Sequence, residues 1–184
     1  MLKETEKEFK FLVSDEQFKV LLSKCHAKYP FVKHKLQANY YYDTEDNALN
    51  KAKTTVRIRQ QHSDMKLQIK KHRELNNGLS TSDEYSGKID TLPSALKIPD
   101  VPESLHLKGV LVTERKIFSF GKNSSICFDG NMYLGICDYE VEFEVDEADK
   151  DEVLMTIDYL GLTYTPAVSK SERFFKRLES INNE

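Results

Sequence analysis

Long apolar runs are missing from this chain of 184 residues. None approaches the ~18 residues that a membrane-crossing helix needs, and the first residues are charged where a signal peptide would be apolar. The reading is a cytoplasmic protein with no membrane partner. Cysteine is scarce: Cys25, Cys127 and Cys137 are an odd count without CxxC spacing. That argues against a disulfide framework and a zinc site, and leaves three small hydrophobes expected to be buried. An excess of positive charge is absent too. The formal net charge is −3, whereas a general nucleic-acid binder is usually strongly basic. No P-loop occurs, because Ile136-Cys137 follows Gly130 and Gly135 where Lys-Ser/Thr is needed. The histidines His26, His34, His62, His72 and His106 show no HExxH or other ligand spacing and read as surface or loop residues. Nothing points to Ser/His/Asp or Cys/His catalysis.

What is present suits one folded domain over residues 1–184, with 39% apolar and 31% charged residues. Period-two alternation marks strands with two different faces. In Lys3–Val13, Glu4, Glu6, Glu8 and Lys10 face one way and Phe9, Phe11 and Val13 the other. Gln37–Asp43 is a tyrosine-rich strand whose Tyr40–Tyr42 run reads as packing. Thr54–Gln60 sets Arg57 and Arg59 against Val56 and Ile58, and Met65–Lys71 sets Lys66, Gln68 and Lys70 against Leu67 and Ile69. Val110–Phe120 and Ser124–Asp129 are further strands. Cys137–Val145 alternates most clearly, with Asp138, Glu140, Glu142 and Glu144 against Tyr139, Val141, Phe143 and Val145.

Helices are expected after three capping signals. Ser14 with Gln17 precedes Phe18, Leu21, Leu22 and Cys25; Asp149 with Glu152 precedes Val153, Leu154, Ile157 and Leu160, ending near Gly161; Ser169 with Glu172 precedes Phe174, Phe175 and Leu178. Asn76-Asn77-Gly78 reads as a turn and Pro93–Pro102 as a linker between the two halves of the chain.

An ordinary half-exposed sheet also alternates, with its charges facing water. Here the charges are sorted by sign. Two strands carry acids (Glu6, Glu8; Glu140, Glu142, Glu144), and two others carry bases (Arg57, Arg59; Lys66, Lys70). Like charges at i and i+2 repel, so fold stability alone gives little reason for them. The apolar faces, meanwhile, have three helices available to cover them. A closed barrel with an apolar exterior and a charged interior satisfies both facts, inverting the usual small barrel. Such an interior is costly unless a ligand of matching charge occupies it. A basic wall suits a polyphosphate, and an acidic wall suits the Mg²⁺ or Mn²⁺ that bridges to phosphate oxygens.

The residues that carry this pattern resemble the CYTH superfamily, the triphosphate tunnel metalloenzymes. Its ExExK motif stands as Glu6-Lys7-Glu8-Phe9-Lys10, followed in order by Tyr41-Tyr42-Asp43-Thr44, Arg57-Ile58-Arg59, Leu67-Gln68-Ile69-Lys70, Glu84, Arg115, Asp129 and Glu140-Val141-Glu142. The stretch Tyr133–Glu140 looks most like the stand-alone branch of Gram-positive bacteria. The resemblance implies an α+β fold, an eight-stranded antiparallel closed tunnel with helices packed outside. It also implies hydrolysis of a triphosphate, inorganic or nucleoside, with Mg²⁺ or Mn²⁺. Glu6, Glu8 and Lys10 would be catalytic. Lys10, Arg57, Arg59, Lys66, Lys70, Arg115 and Lys170 would bind the triphosphate, with Lys170 capping the tunnel. Glu6, Glu8, Glu140, Glu142, Asp129 and Glu84 would hold metal, with Glu84 and Asp129 completing the acidic set or orienting bases. Many members carry a lysine where Thr113 stands here. The partner implied is a small-molecule triphosphate, to a monomer or homodimer. Alternatives are a class IV-type adenylyl cyclase, a thiamine triphosphatase, or a non-catalytic module binding a polyphosphate or alarmone.

Overall fold

The computed structural model describes residues 1–76, 78–164 and 168–183, with only the backbone of 74–76. Its framework is eight long strands: β1 (Leu2–Val13), β2 (Phe31–Asp43), β3 (Thr54–Gln61), β4 (Asp64–Asn76), β5 (Leu79–Lys88), β7 (Leu105–Phe120), β8 (Ser124–Tyr133) and β9 (Ile136–Glu144). A two-residue strand, β6 (Ala95–Leu96), pairs only with β7. The order β2-β3-β4-β5-β1-β9-β8-β7 is antiparallel throughout, and β2 pairs back on β7 from Phe31 to Asp43. The ring is therefore closed, and no long strand is left with an unpaired edge. The expected eight-stranded antiparallel barrel is what the chain forms.

The two faces are sorted as the alternation requires. Phe9, Phe11, Phe118, Phe128, Val141 and Phe143 point outward beneath α1 (Asp15–Lys28) and α3 (Lys150–Tyr159), which bring Phe18, Leu21, Cys25 and Val153 into one core cluster. Ser14 closes a capping box with Gln17 at the head of α1. At α3, Asp149 is the N-cap residue but its side chain does not cap that helix. Its carboxylate instead accepts from the backbone N–H of Lys122, Asn123 and Ser124, tying the β7–β8 turn to the helix.

Two expectations are corrected. Helices do not cover the whole apolar exterior. The outer faces of β2, β3 and β4 (Tyr42, Val56, Ile58, Ile69) are covered by Leu96, Ile98 and Leu105, so the Pro93–Pro102 segment is part of the core and not a spacer. The last helix sits at the barrel's end, where a Lys170 that caps the tunnel would place it. α4 (Lys170–Asn182) plugs one end of the barrel, with Phe174 and Phe175 clustered on Tyr41, Leu111 and Tyr133. Gly109, at φ +148°, lets the Phe174 ring come close: a Cβ there would meet it at 2.9 Å. A short helix α2 (Ala48–Lys51) follows β2, held by Asp43, whose carboxylate accepts from the N–H of Thr44, Leu49 and Asn50. Asn77 of the expected Asn76–Gly78 turn lies outside the described residues; β4 and β5 pair up to Asn76 and Leu79 on either side of it.

Candidate active site: a charged tunnel

Strand parity aims Glu6, Glu8 and Lys10 of β1 into the barrel, facing Arg57 and Arg59 of β3, Lys70 of β4, Arg115 of β7, Asp129 of β8 and Glu140 and Glu142 of β9. A cavity of about 70 Å³ lies among all of these but Asp129 and Glu140, walled also by Gln37, Tyr41, His72 and Lys170. Lys10, Thr55, His72, Ser169 and Ser171 also wall a second chamber of about 260 Å³, which continues the tunnel beside the start of α4.

Most charges in the tunnel are paired across it. Lys70 Nζ reaches Glu6 at 2.7 Å and Glu8 at 3.2 Å. Lys10 Nζ lies 3.2 Å from both Glu8 and Glu142. Arg115 pairs with Asp129 at 2.6 Å, with Glu142, and with Glu144 at 3.0 Å. Arg57 donates to Gln68 and to Glu84. Arg59 differs. Its Nε donates to Asn39 Oδ1 at 3.0 Å, and it makes no salt bridge among the described residues.

The pairing sets the titration. Burial raises the Glu8 carboxyl, but Lys10, Lys70 and Lys170 outweigh it and hold it well below its ordinary value. Asp129 behaves alike: burial raises it, and Arg115 and Lys170 win. Arg115 is raised by Asp129 and Glu142 against the burial that lowers it. Arg59, lacking a carboxylate, is lowered to about 10 by burial and by the like charges of Arg57 and Arg115. His72 is lowered to about 4 by burial, then by Lys70 and Lys10, and so is neutral at physiological pH.

Asp129, Glu140 and Glu142 form a buried trio whose carboxylate oxygens lie within 4.8 Å of one another. Lys170 enters it from α4, its Nζ 2.8 Å from Asp129 and 2.9 Å from Glu142, and also bonded to Glu140. Capping box Ser169–Glu172 fixes the start of α4 and so aims Lys170 inward. Three hard oxygen donors around a small cation are the donor set that Mg²⁺ or Mn²⁺ takes, with the ammonium as stand-in. These residues fit such an ion.

Of the residues singled out from sequence, Glu6, Glu8, Lys10, Arg57, Arg59, Lys70, Arg115, Asp129, Glu140, Glu142 and Lys170 come together in the tunnel. Lys66 does not join them. It lies near the start of β4, opposite Arg59, is exposed, and lines neither cavity. Glu84 is inside but holds Arg57 and Gln68 on the wall away from the acidic trio. His72 is no loop residue: it extends the inward row of β4 two residues past Lys70 and lines both chambers. Cys25 and Cys127 are buried as expected, whereas Cys137 is exposed. Thr113 donates to Asn131 inside the barrel. Arg173 was not foreseen. It stands three residues after Lys170 on the same face of α4 and pairs with Asp138 and Glu140 at 2.8 Å. The i, i+3 spacing of two cations after a capping box was its available signal.

A closed antiparallel barrel enclosing sorted cations and carboxylates defines the class of charged tunnel folds. The CYTH domain model matches residues 4–175, and the chain belongs to this family. YjbK of Bacillus subtilis (strain 168), provisionally named a triphosphatase, is 26% identical over 156 residues, 78% of this chain and 79% of that one. A Bacillus halodurans protein provisionally described as an adenylate cyclase has a crystal structure that superposes with a TM-score of 0.76. It is 29% identical, with 95% of this chain and 100% of that one covered. HpAC1 from Hippeastrum, described as having a dominant triphosphatase activity, shares the fold with a TM-score of 0.71 at 22% identity, over 93% and 95% of the two chains.

Proposed function

We propose that the protein hydrolyses a triphosphate, inorganic or nucleoside, bound inside the barrel with a divalent metal ion. The observation that carries this reading is Arg59, a cation that burial and its like-charged neighbours disfavour and that makes no salt bridge with a described carboxylate. An anion entering between Arg57, Arg59, Lys70 and Arg115 would satisfy it. The relatives described as triphosphatases support the same chemistry.

Arg57, Arg59, Lys70 and Arg115 would grip the phosphoryl oxygens and neutralise charge as it develops, which is most of what phosphoryl transfer requires of a protein. Lys10, fixed between Glu8 and Glu142, would orient the terminal phosphoryl group. Glu8 is held ionised by its lysines, so its part would be to accept a hydrogen bond from the attacking water and aim it in line. The water oxygen bonds to the terminal phosphorus as the bridging P–O bond breaks. With inorganic triphosphate the products are phosphate and pyrophosphate. Asp129, Glu140 and Glu142 would hold Mg²⁺ or Mn²⁺ where the Lys170 ammonium stands, and the ion would supply further charge neutralisation at the phosphate oxygens.

The chamber beside α4, large enough for an organic group and walled partly by Tyr164 and Val168, favours one second reading, an adenylyl cyclase. Assays with tripolyphosphate, ATP and thiamine triphosphate, each with Mg²⁺ and with Mn²⁺, separate the two. Release of inorganic phosphate supports hydrolysis, whereas cyclic AMP with pyrophosphate from ATP identifies the cyclase. Folded protein giving neither product would refute both.

A further inference from the structure

Three consecutive tyrosines in β2 treat their hydroxyls differently. Tyr40 donates to Gln60 Oε1 at 3.3 Å on the outer surface, and Tyr42 donates to the Pro93 carbonyl at 2.6 Å. Tyr41, between them, points inward and is fully buried, yet its Oη has no hydrogen-bond partner among the described residues. Its ring is accounted for by packing: it lies 4.9 Å from the Phe174 ring, centroid to centroid, and shares a cluster with Leu111, Tyr133 and Phe175. A phenylalanine would fill that space as well. The hydroxyl is what packing leaves unexplained, because a buried polar atom without a partner costs stability.

The surroundings indicate what the missing partner is. Tyr41 lines the small cavity together with Arg57, Arg59 and Lys10. Two residues earlier on the same inward face, Asn39 is also fully buried. Its Oδ1 accepts from Arg59, and its Nδ2 has no partner. Two unfilled neutral donors therefore flank a guanidinium that makes no salt bridge with a described carboxylate, and of the two Tyr41 is the one that lines the small cavity. The carboxylates that share this cavity, Glu6, Glu8, Glu142 and Glu144, are engaged with Lys70, Lys10 and Arg115. The group absent from the wall is an acceptor that tolerates several donors at once, as a phosphoryl oxygen does.

We propose that Tyr41 Oη donates a hydrogen bond to a phosphoryl oxygen of the triphosphate bound in the tunnel, making β2 a neutral arm of an otherwise cationic site. This rests on the reading of the tunnel as a triphosphate site. It adds that the tyrosine hydroxyl is kept for binding at the expense of stability, and that the site recognises phosphate through an uncharged donor as well as charge.

Tyr41→Phe tests this, because the ring stays and only the hydroxyl goes. The probe is bis-methylene triphosphate, which cannot be hydrolysed, titrated with Mg²⁺ into the wild type and the variant. Loss of one hydrogen bond to a charged oxygen should weaken binding about tenfold or more. The kcat/KM for tripolyphosphate should fall by a similar factor, mainly through KM. Melting temperature without ligand should stay the same or rise, since an unpaired buried hydroxyl has been removed. Equal affinity of wild type and variant would overturn the proposal while leaving the triphosphate site standing. A lower melting temperature in Tyr41→Phe would also overturn it, by showing that the hydroxyl serves the fold. No binding by the folded wild type would instead refute the triphosphate site itself, and the role of Tyr41 with it.

Discussion

Arg59 and Asp129 both sit on the tunnel wall, yet their removal should be felt in opposite ways. Asp129 is fully buried and balances Arg115 and Lys170. Asp129→Asn strands part of that charge, and breaking a buried pair costs about 3 kcal/mol or more; chemical denaturation should register the loss. Arg59 has no such partner, so Arg59→Ala should leave unfolding within about 1 kcal/mol of wild type while raising KM for tripolyphosphate at least tenfold. His72 adds a pH signature. Its folded value of about 4 lies below its unfolded value of 6.5, so the unfolded chain takes up the proton first as pH falls. Stability from this group is complete above 6.5 and drains away towards 4. Melting temperature should therefore decline between pH 6.5 and 5, and His72→Gln should flatten that slope. At this scale the sequence exposed the charged residues, because sorted charges on alternating strands have no other good explanation. It concealed His72 and Tyr41, whose roles depend on which way a neutral side chain faces.

Among the elements, α4 governs one end of the tunnel. Phe174 is fully buried between Tyr41 and Tyr133, and Phe174→Ala should cost about 3–5 kcal/mol by cavity formation. Equilibrium unfolding in urea reads this, and hydrogen exchange should show the loosening concentrated in α4. Ser169→Ala, which removes the cap, should cost about 1 kcal/mol by the same measurement. The capping boxes of α1 and α4 were legible because they are local chemistry. The resemblance made Lys170 a cap on the tunnel, but which residues of α4 seat it there was not legible, since its apolar stripe fits an exterior groove equally well. β5 was also hidden. Its Ser80, Ser82, Glu84 and Ser86 row alternates with Thr81, Asp83 and Tyr85, and two polar faces give no period-two contrast. The Pro93–Pro102 stretch looked like a spacer because of its prolines, but Leu96 and Ile98 made it a cover for three strands.

At the scale of the molecule, the barrel holds its own charges in reserve for a ligand. Pairs such as Lys70–Glu8 and Lys10–Glu142 neutralise the walls, and on the proposed function binding would exchange some of them for phosphate and metal contacts. Mg²⁺ with a non-hydrolysable triphosphate should therefore raise the melting temperature, by the equivalent of about 2.7 kcal/mol at a hundredfold excess over Kd. The most direct test of the account is a crystal structure of Glu8→Gln, slowed in turnover, soaked with tripolyphosphate and Mn²⁺. It should show the phosphate chain inside the barrel against Arg57, Arg59, Lys70 and Arg115, with the ion on the Asp129, Glu140 and Glu142 carboxylates. A phosphate chain bound outside the barrel, leaving Arg59 without an anion, would contradict it.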